Sequence, residues 1–260
     1  MNAALKDSSW SASDRDPGTL QALVRSAAIL RAQYEAEGFF VVRDIWEPDQ
    51  LERLKDAAAR VSKRREGALA PVMNPHTEED VLFEALRHPV IVAIMQELVG
   101  GPIHGLQSQL FFCPPGTPGF CAHQDNFYVQ ARSEVFASAW TALEDARPGN
   151  GGLIVYPGTH RLPILPVEDN PEQALSASQD PNANSRRAVA PEGFSEESIE
   201  VPAGAVAFLH GHLVHRSHDN DDPSRWRRSL LKTYIRQGEP FRAGRSAARS
   251  ASPLYGDASS

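Results

Sequence analysis

The sequence predicts a mainly β protein with α elaboration: a double-stranded β-helix, a jelly roll of the cupin type, carrying an N-terminal helical layer. Two observations predict it. The first hundred residues place apolar side chains at helical spacing, with Gly38 and Gly100-Gly101 as stops. From Ile103 the pattern changes to short apolar runs separated by Gly and Pro turns, as in all-β sandwiches and barrels.

Asp16-Pro17 opens the first helical pattern, which runs through Leu20, Leu23, Ala27, Leu30, Ala32 and Tyr34 and closes at Gly38. Phe39-Phe40-Val41-Val42 reads as a short buried strand. Pro48 starts a second helix with Leu51, Leu54 and Ala58 on one face, ending in the charged run Lys63-Arg64-Arg65-Glu66. A third helical region spans Val81 to Val99, with a break expected at His88-Pro89. The strands that follow are 103–113, 136–144, 153–156, 197–201, 205–209 and 227–236. The stretch between Thr159 and Ser198 is rich in Pro, Asn and Ser and lacks periodicity, so 160–198 is expected to be an insert serving as a lid. No internal repeat is visible. Residues 1–15 are then a flexible N-terminus, 16–238 one domain, and 239–260 a loosely held tail of small and polar residues.

At 260 residues with 41% hydrophobic content, the chain can bury one substantial core. A formal charge of −7 argues against a nucleic-acid partner, which calls for a basic stripe. The N-terminus shows no apolar segment of a secretory signal, and no run approaches a membrane span. Cys113 and Cys121 are the only cysteines, and two reduced thiols in the cytoplasm are expected. The expected partner is a small-molecule substrate; the oligomeric state is not readable.

The chemistry lies in a split constellation: His123-Gln124-Asp125, then His215, then Arg227. On a strand, residues i and i+2 face the same way, so His123 and Asp125 can present both side chains to one ion while Gln124 points elsewhere. Two imidazoles and one carboxylate suit the facial triad of non-heme Fe(II) oxygenases. Zinc accepts the same donors. The segment Phe208–Asn220 holds four histidines, His210, His212, His215 and His218. His215 follows the apolar pair Leu213-Val214 and shares its parity with Ser217, so both can face an interior. It is the expected third ligand, with His212 as the competitor.

Alternation in the last strand puts Arg227 with Ser229, Leu231, Thr233 and Ile235 on an apolar inner face. An arginine aimed inward needs an anion, because a buried unpaired guanidinium is costly; a terminal carboxylate held bidentately would serve. A salt bridge to a core acid is the structural alternative. Arg228, Lys232 and Arg236 share the opposite parity and are expected on a solvated face. In strand 103–113, Gln107, Gln109 and Phe111 fall on one face, where the glutamines can meet a co-substrate or substrate. Leu106, Leu110 and Phe112 fall on the face expected to pack on the helices. Trp140 is either a core aromatic or a wall of the co-substrate pocket; Asn126 and Tyr128, next to the triad, are within reach of a substrate, and Phe127 between them is expected to pack.

These residues together resemble the phytanoyl-CoA dioxygenase family of Fe(II)- and 2-oxoglutarate-dependent oxygenases. The resemblance is carried by AHQDN with His123 and Asp125, AWTALEDARPGNGGLIVYPGTH across 139–160, HRSHDN with His215, Ser217 and Asn220, and RRSLLKTY from Arg227. It implies Fe(II), 2-oxoglutarate and O2 as cofactor and co-substrates. It implies iron on His123, Asp125 and His215, with Arg227 and Ser217 on the distal carboxylate of 2-oxoglutarate. The interval from His215 to the arginine is one residue longer than the family pattern, so Arg225 and Arg228 stay open as anchors. The carboxylate at Asp125 separates the chain from related halogenases, which carry a small residue there, and implies hydroxylation. The implied activity is oxidation of an unactivated C–H bond of a small polar or anionic molecule, with release of succinate and CO2. Two other readings compete: a metal-dependent cupin enzyme that does not use 2-oxoglutarate, and a non-catalytic module that binds a metal or small molecule.

Overall fold

The structure, a computed structural model, describes residues 29–65, 71–170, 186–245 and 247–255. The expected flexible stretch 1–15, the expected helix start at Asp16-Pro17 and the middle of the expected lid, 171–185, lie outside them.

Residues 29–37 are helical (α1) and stop at Gly38, which adopts φ +87°. A Cβ there would fall 2.5 Å from the His160 ring, so this position needs glycine twice over, for backbone and for space. The chain then enters β1 (Phe39–Val42) and α2 (Pro48–Arg64). Proline at the start of α2 sacrifices no intrahelical bond, and Gln50 reaches back to accept from the Glu47 N–H at 3.1 Å. Its Leu51, Leu54, Ala57, Ala58 and Val61 are buried. After β2 (Val72–Met73) come α3 (Asp80–Leu86) and α4 (Pro89–Val99), split at His88-Pro89 as the proline requires, with Gly100 at φ 71° ending the pair.

The remaining elements are β3 (Ile103–Cys113), α5 (Asp125–Val129), β4 (Phe136–Ala142), β5 (Leu153–Val155), β6 (Val167–Asp169), β7 (Arg186–Ala188), β8 (Glu197–Ile199), β9 (Val206–His210), β10 (His215–Ser217) and β11 (Arg227–Arg236). Six strands form one antiparallel sheet in the order β1-β9-β4-β11-β3-β2. A smaller sheet, β10-β5-β8, stands apart from it, and β6 pairs with β7 as a ribbon. The expected jelly roll is present as two separate sheets with a helical layer. One core lies between the helices and the large sheet and includes Leu54, Leu86, Met95, Phe208 and Tyr234. A second holds Trp140, Val155, Ile199, Leu209 and Leu231 from the two sheets. Each fully buried Leu or Phe contributes about 1.5–3 kcal/mol. Among the described residues, no helix is long and apolar enough to cross a membrane.

Two placements differ from the alternation expected along the strands. Thr233 pairs with Gln107 and Tyr234 with Gly105, so Leu106 is an extra residue in β3. The bulge turns Leu106 away from Leu110 and Phe112, and it packs with Val135, Phe136 and Ile235 instead. Lys232, expected in solvent with Arg228 and Arg236, is fully buried, because the helical layer covers that face of β11. Its Nζ donates to Thr141 Oγ1 at 2.7 Å and sits 5.2 Å from the centre of the Trp46 ring. Among the described residues it has no ion-pair partner, and burial pushes its ammonium down to about 7.

The segment after Gly238 lies against the sheet edge rather than loose. Gly105 and Ser252 exchange backbone hydrogen bonds, Gln107 Nε2 donates to the Ala247 carbonyl at 2.7 Å, and Leu254 enters the helical core. Small side chains here permit close approach of backbone to sheet, which composition alone reads as a tail.

Candidate metal centre and oxygenase site

The two halves of the site meet across one short bridge. The His123 N–H donates to the His215 carbonyl at 2.9 Å and the His215 N–H to the His123 carbonyl at 3.0 Å, bringing the rings to 4.2 Å between centroids. Asp125 reaches the same point by a different route from the one expected. It is not on a strand with His123 but is the first residue of α5, following Gln124 in extended conformation. A carboxylate at a helix start is favoured by the dipole, and the turn brings it back over the imidazoles. Asp125 Oδ1 lies 3.5 Å from His123 Nε2 and 3.8 Å from His215 Nε2. Gln124 does point elsewhere, donating to the His212 carbonyl and accepting from the Leu165 N–H.

Every donor is held from behind. His123 Nδ1 bonds the Cys121 carbonyl at 2.9 Å and His215 Nδ1 the Leu213 carbonyl at 3.0 Å. A carbonyl only accepts, so each Nδ1 carries its proton and each Nε2 presents a lone pair toward Asp125. Burial and the neighbouring His123 push His215 down to about 4, which keeps it neutral and ready to ligate. Burial alone would raise the Asp125 carboxyl. His215, His123 and the Ser138 hydroxyl, which donates to Oδ2, outweigh it and hold Asp125 well below the usual carboxylate range. The three ligand atoms lie within 4.8 Å of one another, spacing that fits one divalent ion. The four histidines of 208–220 now separate. His212 bonds the Leu162 carbonyl and Asn126, His210 accepts from the His212 N–H, and His218 pairs with Ser198.

The triad opens on a cavity of about 790 Å³. Its wall includes Arg227, 4% exposed. Nε donates to the Gly151 carbonyl at 2.9 Å, Nη1 to Ser229 Oγ at 3.2 Å, and the guanidinium lies 5.8 Å from the centre of the Trp140 ring. Among the described residues no carboxylate forms an ion pair with it, and burial lowers its affinity for its proton. The three arginines left open as anchors are placed differently: Arg225 is a surface residue beside Asp222, and Arg228 is paired with Glu144. Only Arg227 of the three lines the cavity.

Gln107, Gln109, Phe111, Tyr128, Trp140 and Ser217 line it as well. Gln107 is held by Gln109 Nε2 at 3.0 Å and by its own bond to Ala247. Ser217 Oγ accepts from the Phe120 N–H at 2.8 Å, which leaves its hydroxyl proton to donate. Asn126 is elsewhere: it is buried, bonds Ala131 through both ends of its amide and touches His212, so it shapes the turn after α5 rather than facing the cavity. Sequence reasoning missed Ser138, which sits on the same strand face as Trp140 and was legible from that parity. It also missed Phe120, packed edge-on to Phe111 at 5.5 Å, and the arginines of the C-terminal segment.

The family model of phytanoyl-CoA dioxygenase (PhyH) matches residues 34–229. A probable phytanoyl-CoA dioxygenase of Caenorhabditis elegans is 27% identical over 235 residues, covering 75% of this chain and 72% of that one. The ectoine dioxygenase of Stutzerimonas stutzeri is 25% identical, covering 76% and 73%. The chain spans 63% of the length of the peroxisomal phytanoyl-CoA dioxygenase of mouse, at 27% identity. Among solved structures, the epimerase SnoN in complex with Fe3+, alpha ketoglutarate and nogalamycin RO superposes with a TM-score of 0.71, 20% identity, and coverage of 90% and 97%. EctD from S. alaskensis with 2-oxoglutarate and 5-hydroxyectoine gives 0.67, 18% identity, and coverage of 86% and 83%. With the matched segment containing His123, Asp125, His215 and Arg227, the chain belongs to the phytanoyl-CoA dioxygenase family of Fe(II)- and 2-oxoglutarate-dependent oxygenases.

Proposed function

We propose that the protein hydroxylates an unactivated C–H bond of a small polar or anionic molecule, with 2-oxoglutarate converted to succinate and CO2. The observation that carries this reading is a neutral-imidazole and carboxylate triad and a buried arginine that has no ion-pair partner among the described residues, lining one cavity. His123 Nε2, Asp125 Oδ1 and His215 Nε2 would hold iron on one side, and Arg227, with Ser217 beside it, would take the distal carboxylate of 2-oxoglutarate. When bound, iron and 2-oxoglutarate supply O2 activation and the oxidising equivalents. The chain's own residues do the rest. Ser138 and the two backbone carbonyls fix the ligands' directions. Trp140, beside the buried Arg227 guanidinium, would help keep water from it, which strengthens its grip on a carboxylate. Of the other residues lining the cavity, Gln109 would meet 2-oxoglutarate and Phe111 the substrate.

The test is an anaerobic titration of the apoprotein with Fe(II) and 2-oxoglutarate, followed by the visible charge-transfer band of the chelate. The band is expected in the native protein, lost in Asp125→Ala and weakened in Arg227→Ala. No band, with tight zinc binding instead, refutes the oxygenase reading and favours a cupin enzyme independent of 2-oxoglutarate or a binding module. We also propose a cytoplasmic location, supported by two buried cysteines that are not joined to each other; fractionation showing the native protein in another compartment would refute it.

A further inference from the structure

The buried guanidinium of Arg227 has one neighbour that its proposed role does not explain, the thiol of Cys113. The two residues stand opposite each other across the sheet, Arg227 of β11 paired with Cys113 of β3 in the antiparallel register. Side chains of such a pair rise from the same face, with Cβ atoms about 4.5–5.5 Å apart. Here they meet. Cys113 and Arg227 share a side-chain hydrogen bond, and since an arginine only donates, the sulfur is the acceptor. Cys113 is 2% exposed, and its carbonyl accepts from Asn220 Nδ2 at 2.9 Å, which fixes the end of β3.

Gly151 brings the backbone against both groups. A Cβ at this residue would lie 2.9 Å from Cys113 Sγ, 3.5 Å from Arg227 Nε and 3.6 Å from Nη2, so sulfur and guanidinium pack together on bare main chain. The guanidinium therefore meets three acceptors of the protein: the Gly151 carbonyl, Ser229 Oγ and Cys113 Sγ. None is a carboxylate, so the group's direction is fixed while its charge stays available. Three acceptors do not exhaust five N–H donors, and those left over suffice for a carboxylate held by two bonds. Sulfur suits the position. It is a polarizable, weak acceptor, and it steers a donor with little competition for the charge.

We propose that Cys113 is a positioning residue for the co-substrate: its sulfur sets the direction of the Arg227 guanidinium, and through it the affinity for the distal carboxylate of 2-oxoglutarate. This deepens the proposed function and rests on its assignment of that carboxylate to Arg227. The sulfur acts through Arg227 alone, so its influence is confined to ligands that possess a distal carboxylate. A residue that merely filled the core would not discriminate in this way.

The test is an anaerobic titration of the full chain at fixed Fe(II), followed by the charge-transfer band, with two ligands in parallel. 2-Oxoglutarate carries the distal carboxylate, and 2-oxopentanoate has a methyl group in its place. Cys113→Ala is expected to weaken 2-oxoglutarate about tenfold, the size of one hydrogen bond to a charged group, and to leave 2-oxopentanoate unchanged. Cys113→Ser restores an acceptor in a side chain barely larger than alanine, and is expected to recover most of the lost affinity. Equal weakening of both ligands, no weakening of either, or a serine variant as poor as alanine overturns the proposal. A second measurement covers a Cys113→Ala chain that does not fold. The S–H infrared band that Cys113→Ser removes is expected to shift in Arg227→Gln, and a band that stays in place overturns the contact. Absence of the charge-transfer band in native protein refutes the oxygenase reading instead. A native band with the same 2-oxoglutarate affinity in Cys113→Ala refutes this inference alone.

Discussion

Lys232→Met should make this protein more stable, and by an amount that depends on pH in a defined direction. Lys232 is wholly buried on the face of β11 that the helical layer covers, with Thr141 Oγ1 and the Trp46 ring beside its Nζ and no carboxylate partner among the described residues. Its ammonium falls from 10.5 to about 7 on folding. At about 1.4 kcal/mol per unit, that shift corresponds to an order-of-magnitude penalty of about 5 kcal/mol for folding with the charge in place. Below pH 7 both folded and unfolded chains carry the proton and the whole penalty applies. Between pH 7 and 10.5 the unfolded chain binds more protons, so native stability rises with pH. Methionine fills similar volume without charge, but forfeits the attraction to Trp46, about 1 kcal/mol, and strands Thr141, about another 1. The expected gain is about 3 kcal/mol at pH 6, shrinking to nothing or reversing by pH 10.5. Urea unfolding followed by circular dichroism at pH 6, 8 and 10 measures it. A pH-independent difference, or a destabilised variant at pH 6, would refute the assignment of Lys232 as a buried, unpaired cation.

Four further outcomes follow from the site. Asp125→Ala removes the only carboxylate of the triad and should abolish the iron–2-oxoglutarate band and succinate release, while thermal unfolding shifts little or rises. Ser138→Ala frees Asp125 Oδ2 and should weaken Fe(II) affinity about 10–100-fold, read by titration, with the fold intact. Arg227→Ala should raise the KM for 2-oxoglutarate by about a hundredfold, a charge-assisted pair being worth about 3 kcal/mol, and leave Fe(II) affinity nearly unchanged. Gly119→Ala would place a Cβ 2.2 Å from the Ser217 carbonyl oxygen, beside β10, and should cost about 3 kcal/mol or more in denaturant unfolding.

Much of the site was legible because strand alternation is strict where both faces are occupied. Arg227, Leu231 and Thr233 face the cavity as their parity requires, and so do Gln107, Gln109 and Phe111. The same rule failed at Leu106, where one inserted residue reverses the faces; the adjacent Gly105 is the local mark of the bulge, and the parity reading passed over it. It failed differently at Lys232: its face was right, but whether that face meets water depends on where α2 and Trp46 lie, which is not a local property. His123-Gln124-Asp125 converges on one point although Asp125 opens a helix, so the ligand set was readable while the backbone carrying it was not. The C-terminal arginines were hidden for a plainer reason. A run of small and polar residues has no periodicity of its own, and its order comes from the bonds it makes to Gly105 and Gln107.

The order of strands in the large sheet bears on how the chain reaches its native state. β11 is the last strand in sequence, yet it lies between β4 and β3 and pairs along most of its length with both. Before residues 227–236 arrive, β4 can pair only with β9 and β3 only with β2, as two incomplete ribbons with hydrogen-bonding edges exposed. The strand that joins them is also the one carrying Arg227. Closing these long loops is slow, which predicts folding on a millisecond-to-second scale, with aggregation as the competing fate of truncated chains. Assembly of the sheet and completion of the anion-binding wall are therefore one event, and a chain halted before β11 has neither.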